Sequence, residues 1–336
     1  MKKKGAKKVI IPIVCVLLAA LIGFGAVELF YYPHYLNNRQ SVSMSENAGA
    51  KDIKIISANV RTFAPGDMFK KSWFYRADLF VGSIAAQSPD IIGFQEVTKM
   101  HYKYLCATLT GFDNVITYRD NSLQPEACPI FYKQSKFKLI DKGSFWLSET
   151  PETMSKDWGS MCYRICSYVI LENKTDAKRL VVFNTHLDHV SDEARIKGIG
   201  VVLDKIKQFG SLPSIIMGDF NATENSETYR AATENFLDAK YQTKNTMKGA
   251  TYQGFGTDLD SENIDYFMIS KTGIKVNEYR ILKETVNGVY TSDHFPIYLD
   301  IKMWEGEEPL TFFSSRQPAV SQRVGIAYEV QGIRYK

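Results

Sequence analysis

From residue 52 onward, short apolar runs alternate with amphipathic stretches. Eight of them, IKIISANV (53–60), DIIGFQEV (90–97), PIFYK (129–133), YVILEN (168–173), RLVVFNTH (179–186), PSIIMGDFN (213–221), IDYFMIS (264–270) and FPIYLDIKM (295–303), read as strands. Most are apolar on consecutive positions, the pattern of strands buried on both faces. Over 191–209, Ile196, Ile199, Val202, Leu203, Ile206 and Phe209 recur at helical spacing, with Ser191 as N-cap, Asp192 and Glu193 in the first turn and Gly210 as the stop. Residues 72–88 and 97–110 read as two more helices. The chain is therefore expected to be α/β, with one domain over 52–302 and no internal repeat.

The pattern before residue 52 is different. Val9–Val27 is 19 residues without a charge, roughly 28 Å long as a helix and close to a bilayer core. Lys2, Lys3, Lys4, Lys7 and Lys8 precede it, and Phe30, Tyr31, Tyr32 and Tyr35 follow where an interfacial aromatic belt would lie. The expectation is a basic cytoplasmic tip (1–8), a transmembrane helix (9–32) and a polar linker (33–51). A cleaved signal is disfavoured, because the run exceeds the usual apolar region and no A-x-A site follows. Everything after residue 33 then faces away from the cytoplasm, as on a bacterial surface. As a coil, Asn37–Lys51 reaches about 20 Å. Residues 303–336 form an extension of mixed polarity with no assigned role.

Charge sharpens this division. The 336 residues carry 41 Lys+Arg against 37 Asp+Glu, a net +4. The five lysines and Glu28 place that whole excess in residues 1–32, so residues 33–336 are formally neutral. A nuclease groove usually shows as basic excess, and none is present. With 45% hydrophobic and 23% charged residues, a disordered chain is excluded. Cys106, Cys128, Cys162 and Cys166 have no zinc spacing. They are expected as small buried hydrophobes, since i and i+4 on a strand cannot bridge each other.

Polar chemistry collects at the strand ends. Asn59 closes the first run, Glu96 the second, His186 and Asp188 follow LVVFNT, and Asp219 and Asn221 follow SIIMG. Asp265 opens DYFMIS, and Asp293-His294 precede FPIYLDI. A single Asp or Asn after a strand is ordinarily a turn residue. Glu96, however, sits among Phe94, Gln95 and Val97, and three of only five histidines fall in these clusters. Polar groups converging on strand ends build α/β active sites. Carboxylates with amides and imidazoles suit a hard, oxygen-preferring ion such as Mg²⁺, with Mn²⁺ as a substitute.

NTHLDH (184–189), GDFNAT (218–223), FQEV (94–97), IDYF (264–267) and SDHFP (292–296) resemble the motifs of the endonuclease/exonuclease/phosphatase superfamily. That group includes pancreatic deoxyribonuclease, apurinic-site endonucleases, bacterial sphingomyelinases and inositol polyphosphate 5-phosphatases. WLSETP (146–151), Arg164 in YRIC and TYQGFG (251–256) look like its bacterial branch. The resemblance implies a four-layer α/β sandwich of two packed mixed sheets flanked by helices, with the site at their upper edge. It implies Glu96 as principal metal ligand, with Asn59 beside it and Asp293 nearby. Asp219 would orient or deprotonate water, Asn221 hold a phosphate oxygen, and His186 donate to the developing charge. His294, oriented by Asp265, would grip the phosphate. Arg61 and Arg164 are candidate phosphate-binding groups, each with an ion-pair alternative. Asp188 with Arg195 reads as a structural pair, and Trp146 and Trp158 flank a lid-like stretch, more suited to packing than to stacking on substrate.

The implied activity is Mg²⁺-dependent hydrolysis of a phosphate ester by a monomer, favouring a small phosphorylated metabolite or a lipid headgroup. A nuclease is the alternative. A non-catalytic phosphate-binding module would be expected to lack some strand-end polar groups, and none is missing.

Overall fold

The computed structural model describes residues 4–26, 42, 51–64, 66–67 and 69–304. Most of the linker (33–51) and of the extension (303–336) therefore lies outside the described residues. Twelve strands are described: β1 (Asp52–Asn59), β2 (Ile91–Gln95), β3 (Phe112–Val115), β4 (Ile130–Lys133), β5 (Phe137–Trp146), β6 (Ile165–Asn173), β7 (Arg179–His186), β8 (Ser214–Asp219), β9 (Phe236–Asp238), β10 (Asp265–Ser270), β11 (Ile274–Ile281) and β12 (Ile297–Met303). The described helices are α1 (Lys4–Ala26), α2 (Trp73–Ala85), α3 (Lys99–Thr108), α4 (Asp192–Lys207) and α5 (Glu227–Asn235).

The strands form two six-stranded sheets, ordered β11-β12-β1-β2-β4-β3 and β5-β6-β7-β8-β10-β9. β1 with β2 and β7 with β8 are parallel, and the remaining pairs are antiparallel. A parallel pair needs a crossover, supplied here by α2 and by α4. Each crossover returns the chain so that two strands end side by side, and β1 and β2 pack against β7 and β8 of the other sheet. The C-terminal ends of all four meet at one edge of the sandwich.

Between the sheets, Ile55, Ile91, Val182, Ile215, Met217 and Phe267 form the central core. Phe80, Ile84 and Leu105 bring α2 and α3 onto the outer face of the first sheet, while Ile199, Val202 and Tyr229 bring α4 and α5 onto the second. Each such side chain contributes about 1.5–3 kcal/mol on full burial. The four-layer arrangement implied by the resemblance is the one found. α4 begins as expected, with Ser191 Oγ accepting from Ala194 N–H at 3.2 Å, and the helix stops before Gly210 in a left-handed conformation (φ 65°).

The two sheets approach closely below the site. A Cβ at Gly93 would lie 2.3 Å from Met217 Cε. There Gln95 Nε2 donates to Asn184 Oδ1 (2.7 Å) and Asn184 Nδ2 to the Phe94 carbonyl (2.8 Å). This buried link fixes one sheet edge relative to the other.

Two expectations are not met among the described residues. Residues 4–26 are helical, but among the described residues no helix is long and apolar enough to cross a membrane. Of the cysteines, Cys128 and Cys166 are buried free thiols, Cys162 is half-buried, and Cys106 is exposed rather than internal.

Candidate active site

Strand register sets the centre of the site. His186, the last residue of β7, pairs with Asp219, the last of β8. Asp219 in turn pairs with Asp265, the first of β10. The three side chains stand in a row across one sheet end. Gly218 makes this possible: its φ is +140°, and a Cβ there would lie 1.9 Å from the Thr185 carbonyl oxygen.

His294, delivered by the loop before β12, bridges the row. Its Nδ1 is 2.9 Å from Asp265 Oδ2 and its Nε2 is 3.6 Å from Asp219 Oδ2. Burial disfavours its protonation, but the carboxylates of Asp265 and Asp219 outweigh burial and hold it well above the usual imidazole range. Asp219 is pushed up to about 7 by burial and by the charge of Asp265. His186 goes the other way: burial and the guanidinium groups of Arg164 and Arg119 push it well down, so it is neutral.

Asn221 has left-handed backbone (φ 48°). Its Nδ2 donates to the Leu187 carbonyl at 3.1 Å and to His186 Nε2 at 2.9 Å. The carbonyl can only accept, which fixes the amide orientation and makes His186 Nε2 an acceptor. The two residues are thus joined as a pair, with both amide hydrogens engaged.

Across from this row lies Glu96, also left-handed (φ 61°). It accepts from Asn59 Nδ2 (2.9 Å) and from Thr62 N–H (2.6 Å). Burial works against its charge, but these hydrogen bonds prevail and its carboxyl is held below the ordinary range. Asn59 Nδ2 also reaches Asp219 Oδ2 at 3.2 Å, while its Oδ1 accepts from Arg61 N–H at 2.8 Å. As oriented, Asn59 is a donor clamping two carboxylates, not an oxygen ligand. Asp293 is raised by burial and faces Arg61 Nη1 at 3.2 Å, while Arg61 Nε reaches Asp67 at 3.0 Å. Arg61 therefore lines the cavity and is ion-paired at once.

A cavity of about 540 Å³ opens over these groups. Every site residue singled out from the sequence is at it or in contact with a residue that lines it. Arg164 lines it too, with Nη2 donating to His189 Nδ1 at 2.9 Å and Nε 3.6 Å from Asp188. The expected Asp188–Arg195 pair differs in kind: Arg195 Nη1 donates to the Asp188 backbone carbonyl, and its guanidinium pairs with Asp192. Trp146 and Trp158 are half-buried. Their Nε1 atoms are tied to the Arg119 carbonyl and to Glu149, which favours a structural role.

Three residues at or behind the cavity were not marked by the sequence. Arg76 of α2 is 1% exposed and donates to the carbonyls of Lys71, Val60, Thr291 and Arg61. It pins the loop after Asn59 to the loop before Asp293, and burial brings its guanidinium down to about 10. Arg119 and Glu126 line the cavity beside Glu96 and His186. No periodicity or motif signals a helix-face arginine or an ion pair within a loop.

The residues fit a divalent cation. Glu96, Asp219, Asp265 and Asp293 gather four carboxylates at one edge, where burial raises Asp219 and Asp293 and the charge of Glu96 adds to the rise of both, as in an acidic cluster without its counter-ion. Ligand atoms of Asp219, Asp265 and His294 lie within 4.8 Å of one another. That trio is a poor cage, because His294 is already bonded to Asp265 and cationic. The oxygen-rich side at Glu96 suits the ion better.

Two six-stranded sheets between helices, with buried acids and imidazoles converging where strand ends meet, define a hydrolase acting on ester bonds. The chain belongs to the endonuclease/exonuclease/phosphatase family, whose model matches residues 56–294. It is 28% identical over 268 residues to the uncharacterized protein L388 of Acanthamoeba polyphaga mimivirus, covering 74% of this chain and 99% of that one. It is 25% identical to the CCR4-Not complex 3'-5'-exoribonuclease subunit Ccr4 of Schizosaccharomyces pombe, a match covering 47% of this chain but 30% of the nuclease subunit. Among solved structures, an endonuclease/exonuclease/phosphatase from Bacteroides vulgatus superposes with TM-score 0.71 at 29% identity, covering 75% of this chain and 99% of that one. The mannosyl-6-phosphatase Bt3783 of Bacteroides thetaiotaomicron superposes with TM-score 0.68 at 29% identity, covering 74% and 99%.

Proposed function

We propose that the chain is a Mg²⁺-dependent phosphoester hydrolase acting outside the cytoplasm on a small phosphate ester. The observation that carries the chemistry is the in-register row His186–Asp219–Asp265, bridged by a cationic His294 and facing the half-buried anion Glu96. Glu96, with Asp219 or Asp293, would hold the metal, which Mn²⁺ could replace. When bound, the metal neutralises phosphate charge and acidifies water.

The chain's own groups supply the rest. His294 Nε2–H, kept protonated by Asp265, grips one phosphate oxygen. An arriving phosphate oxygen takes the Asn221 N–H now given to His186, and His186 donates to the developing charge once its Nε2 has taken up a proton. Asp219, held by Asn59 and the Asn221 backbone N–H (2.8 Å), accepts the proton of the attacking water. A bond forms from water oxygen to phosphorus, the ester oxygen leaves and takes up a proton, and alcohol and phosphate result. Arg61 and Arg164 flank the phosphate.

A small substrate is supported by the neutrality of residues 33–336 and by the likeness to a mannosyl-6-phosphatase over nearly all of that protein. The match to a Ccr4 exoribonuclease subunit favours the second reading, a nuclease. The extracytoplasmic location is supported by the five lysines preceding the uncharged run.

Purified full chain should hydrolyse a phosphomonoester in an EDTA-sensitive way. Glu96→Gln should lose at least about a hundredfold in kcat/KM, since a metal supplies several kcal/mol. Intact expressing cells should turn over the same membrane-impermeant ester added outside. Wild type and Glu96→Gln indistinguishable with both monoester and diester would sink the hydrolase reading, and turnover only after lysis would sink the location.

A further inference from the structure

Charged side chains are seldom fully buried unless paired with an opposite charge. Arg76 is 1% exposed, yet among the described residues its hydrogen-bond acceptors are backbone carbonyls. Nε donates to Lys71 (2.9 Å), Nη1 to Val60 (2.7 Å) and Thr291 (2.9 Å), and Nη2 to Arg61 (3.1 Å). The guanidinium also lies against two rings, its Cζ 5.1 Å from the centroid of Trp73 and 5.6 Å from that of Phe255.

The carbonyls of Val60, Arg61 and Thr291 belong to the loops that build the oxygen-rich side of the site. Val60 and Arg61 lie between Asn59, which clamps Glu96 (2.9 Å), and Thr62, whose N–H holds the other Glu96 oxygen (2.6 Å). Thr291 shortly precedes Asp293, and the Arg61 side chain pairs with Asp293 at 3.2 Å. Ser292 Oγ adds a second tie by donating to the Asn59 carbonyl (2.7 Å). Arg61 (φ 61°) and Phe255 (φ 58°) are both left-handed, a strained conformation for residues with side chains that lasts only where the surroundings impose it. Arg76 touches both.

We propose that Arg76 is a positioning residue for the divalent cation, fixing the Glu96 and Asp293 carboxylates relative to each other. One planar fork is shared by the entry to α2, the loop after β1 and the loop before β12. A lysine in its place keeps the charge but has no rigid fork with which to span those segments. A merely structural arginine would contribute stability and leave cation binding alone. This inference rests on the metal-dependent reading of the site and assigns it a residue that touches neither ion nor substrate.

The test measures Mn²⁺ binding to the full chain by electron paramagnetic resonance, which reads the free ion without turnover, alongside thermal melting. Lys136→Met is the control. Lys136 is 2% exposed and holds Asp90 (2.7 Å) at the edge opposite the site, so its loss lowers stability away from the carboxylates. Arg76→Lys should weaken Mn²⁺ binding about 10–100-fold, as removal of groups supporting metal ligands does. The Mg²⁺ concentration for half-maximal turnover should rise by a similar factor. Lys136→Met should melt lower and bind Mn²⁺ as wild type does. Wild-type affinity in Arg76→Lys overturns the inference whatever its melting temperature, and so does an equal loss of affinity in the control. If Arg76→Lys fails to fold, Phe255→Leu decides, because it removes one ring and leaves the hydrogen bonds of Arg76 in place. It should weaken Mn²⁺ binding at least about threefold, and unchanged affinity overturns the inference. Absence of Mn²⁺ binding by wild type, or equal binding by Glu96→Gln, would instead remove the metal reading itself.

Discussion

Asp188 shows how much a single side chain can organise here. Its Oδ2 accepts from Ser160 Oγ (3.0 Å) and Met161 N–H (3.1 Å), and its Oδ1 from Val190 N–H (3.0 Å) and Ser191 N–H (2.9 Å). Burial opposes its charge, but the backbone amides of Ser191 and Val190, with Arg164, outweigh burial and bring it to about 2. A carboxylate depressed in the folded state contributes stability above its unfolded pKa near 4, and that contribution disappears as pH falls toward about 2. Asp188→Asn should therefore be destabilised by about 1–3 kcal/mol at pH 7, with the gap to wild type closing below pH 4. Urea unfolding at pH 7, 4 and 3 measures it, and a pH-independent gap would contradict the assignment. The strand-end acids were legible in sequence because a charged residue after an apolar run is conspicuous. Arg76, Arg119 and Glu126 were not, because an arginine on a helix or an ion pair in a loop is ordinary until the fold shows what it faces.

At the level of elements, legibility divides by position in the sheet. The eight runs read from the sequence became β1, β2, β4, β6, β7, β8, β10 and β12, the interior strands of both sheets. The four not read, β3, β5, β9 and β11, are the four edges. An interior strand is covered on both faces and must be apolar throughout. An edge strand carries exposed positions, as in the FKLIDKGSFW of β5, and edges tolerate the charge that discourages further pairing. β11 further departs from alternation at a bulge between Val276 and Glu278. The interior end of β8 depends on Gly218, where a left-handed backbone and a 1.9 Å clash with the Thr185 oxygen leave no room for a methyl group. Gly218→Ala should cost more than about 3 kcal/mol, visible as a large drop in Tm, and should abolish activity by displacing Asp219. Near-wild-type melting with full activity would refute this account of the turn.

For the whole molecule, periodicity fixed neither the number of sheets nor their stacking, because strands apolar on both faces do not reveal which neighbour they pair with. The four-layer arrangement was visible only through the resemblance of five motifs. Charge was legible at this scale: the excess of +4 lies before residue 33. The cavity itself mixes Arg61, Arg119 and Arg164 with Glu96, Glu126, Asp219 and Asp293. Such a surface gives little long-range attraction to a polyanion, and short-range contacts inside a cavity are weakly screened. A nuclease neutralising 6–10 phosphates would lose about 10³–10⁵ in affinity between 50 and 200 mM salt. For this chain, kcat/KM on a small monoester should change by less than about threefold over that range at fixed free Mg²⁺, because the ester brings one phosphate rather than a run of them. A steep loss with salt on the monoester would mean that an unrecognised basic field governs encounter. A steep loss confined to oligonucleotide, with faster turnover of it at low salt, would move the balance to the nuclease reading.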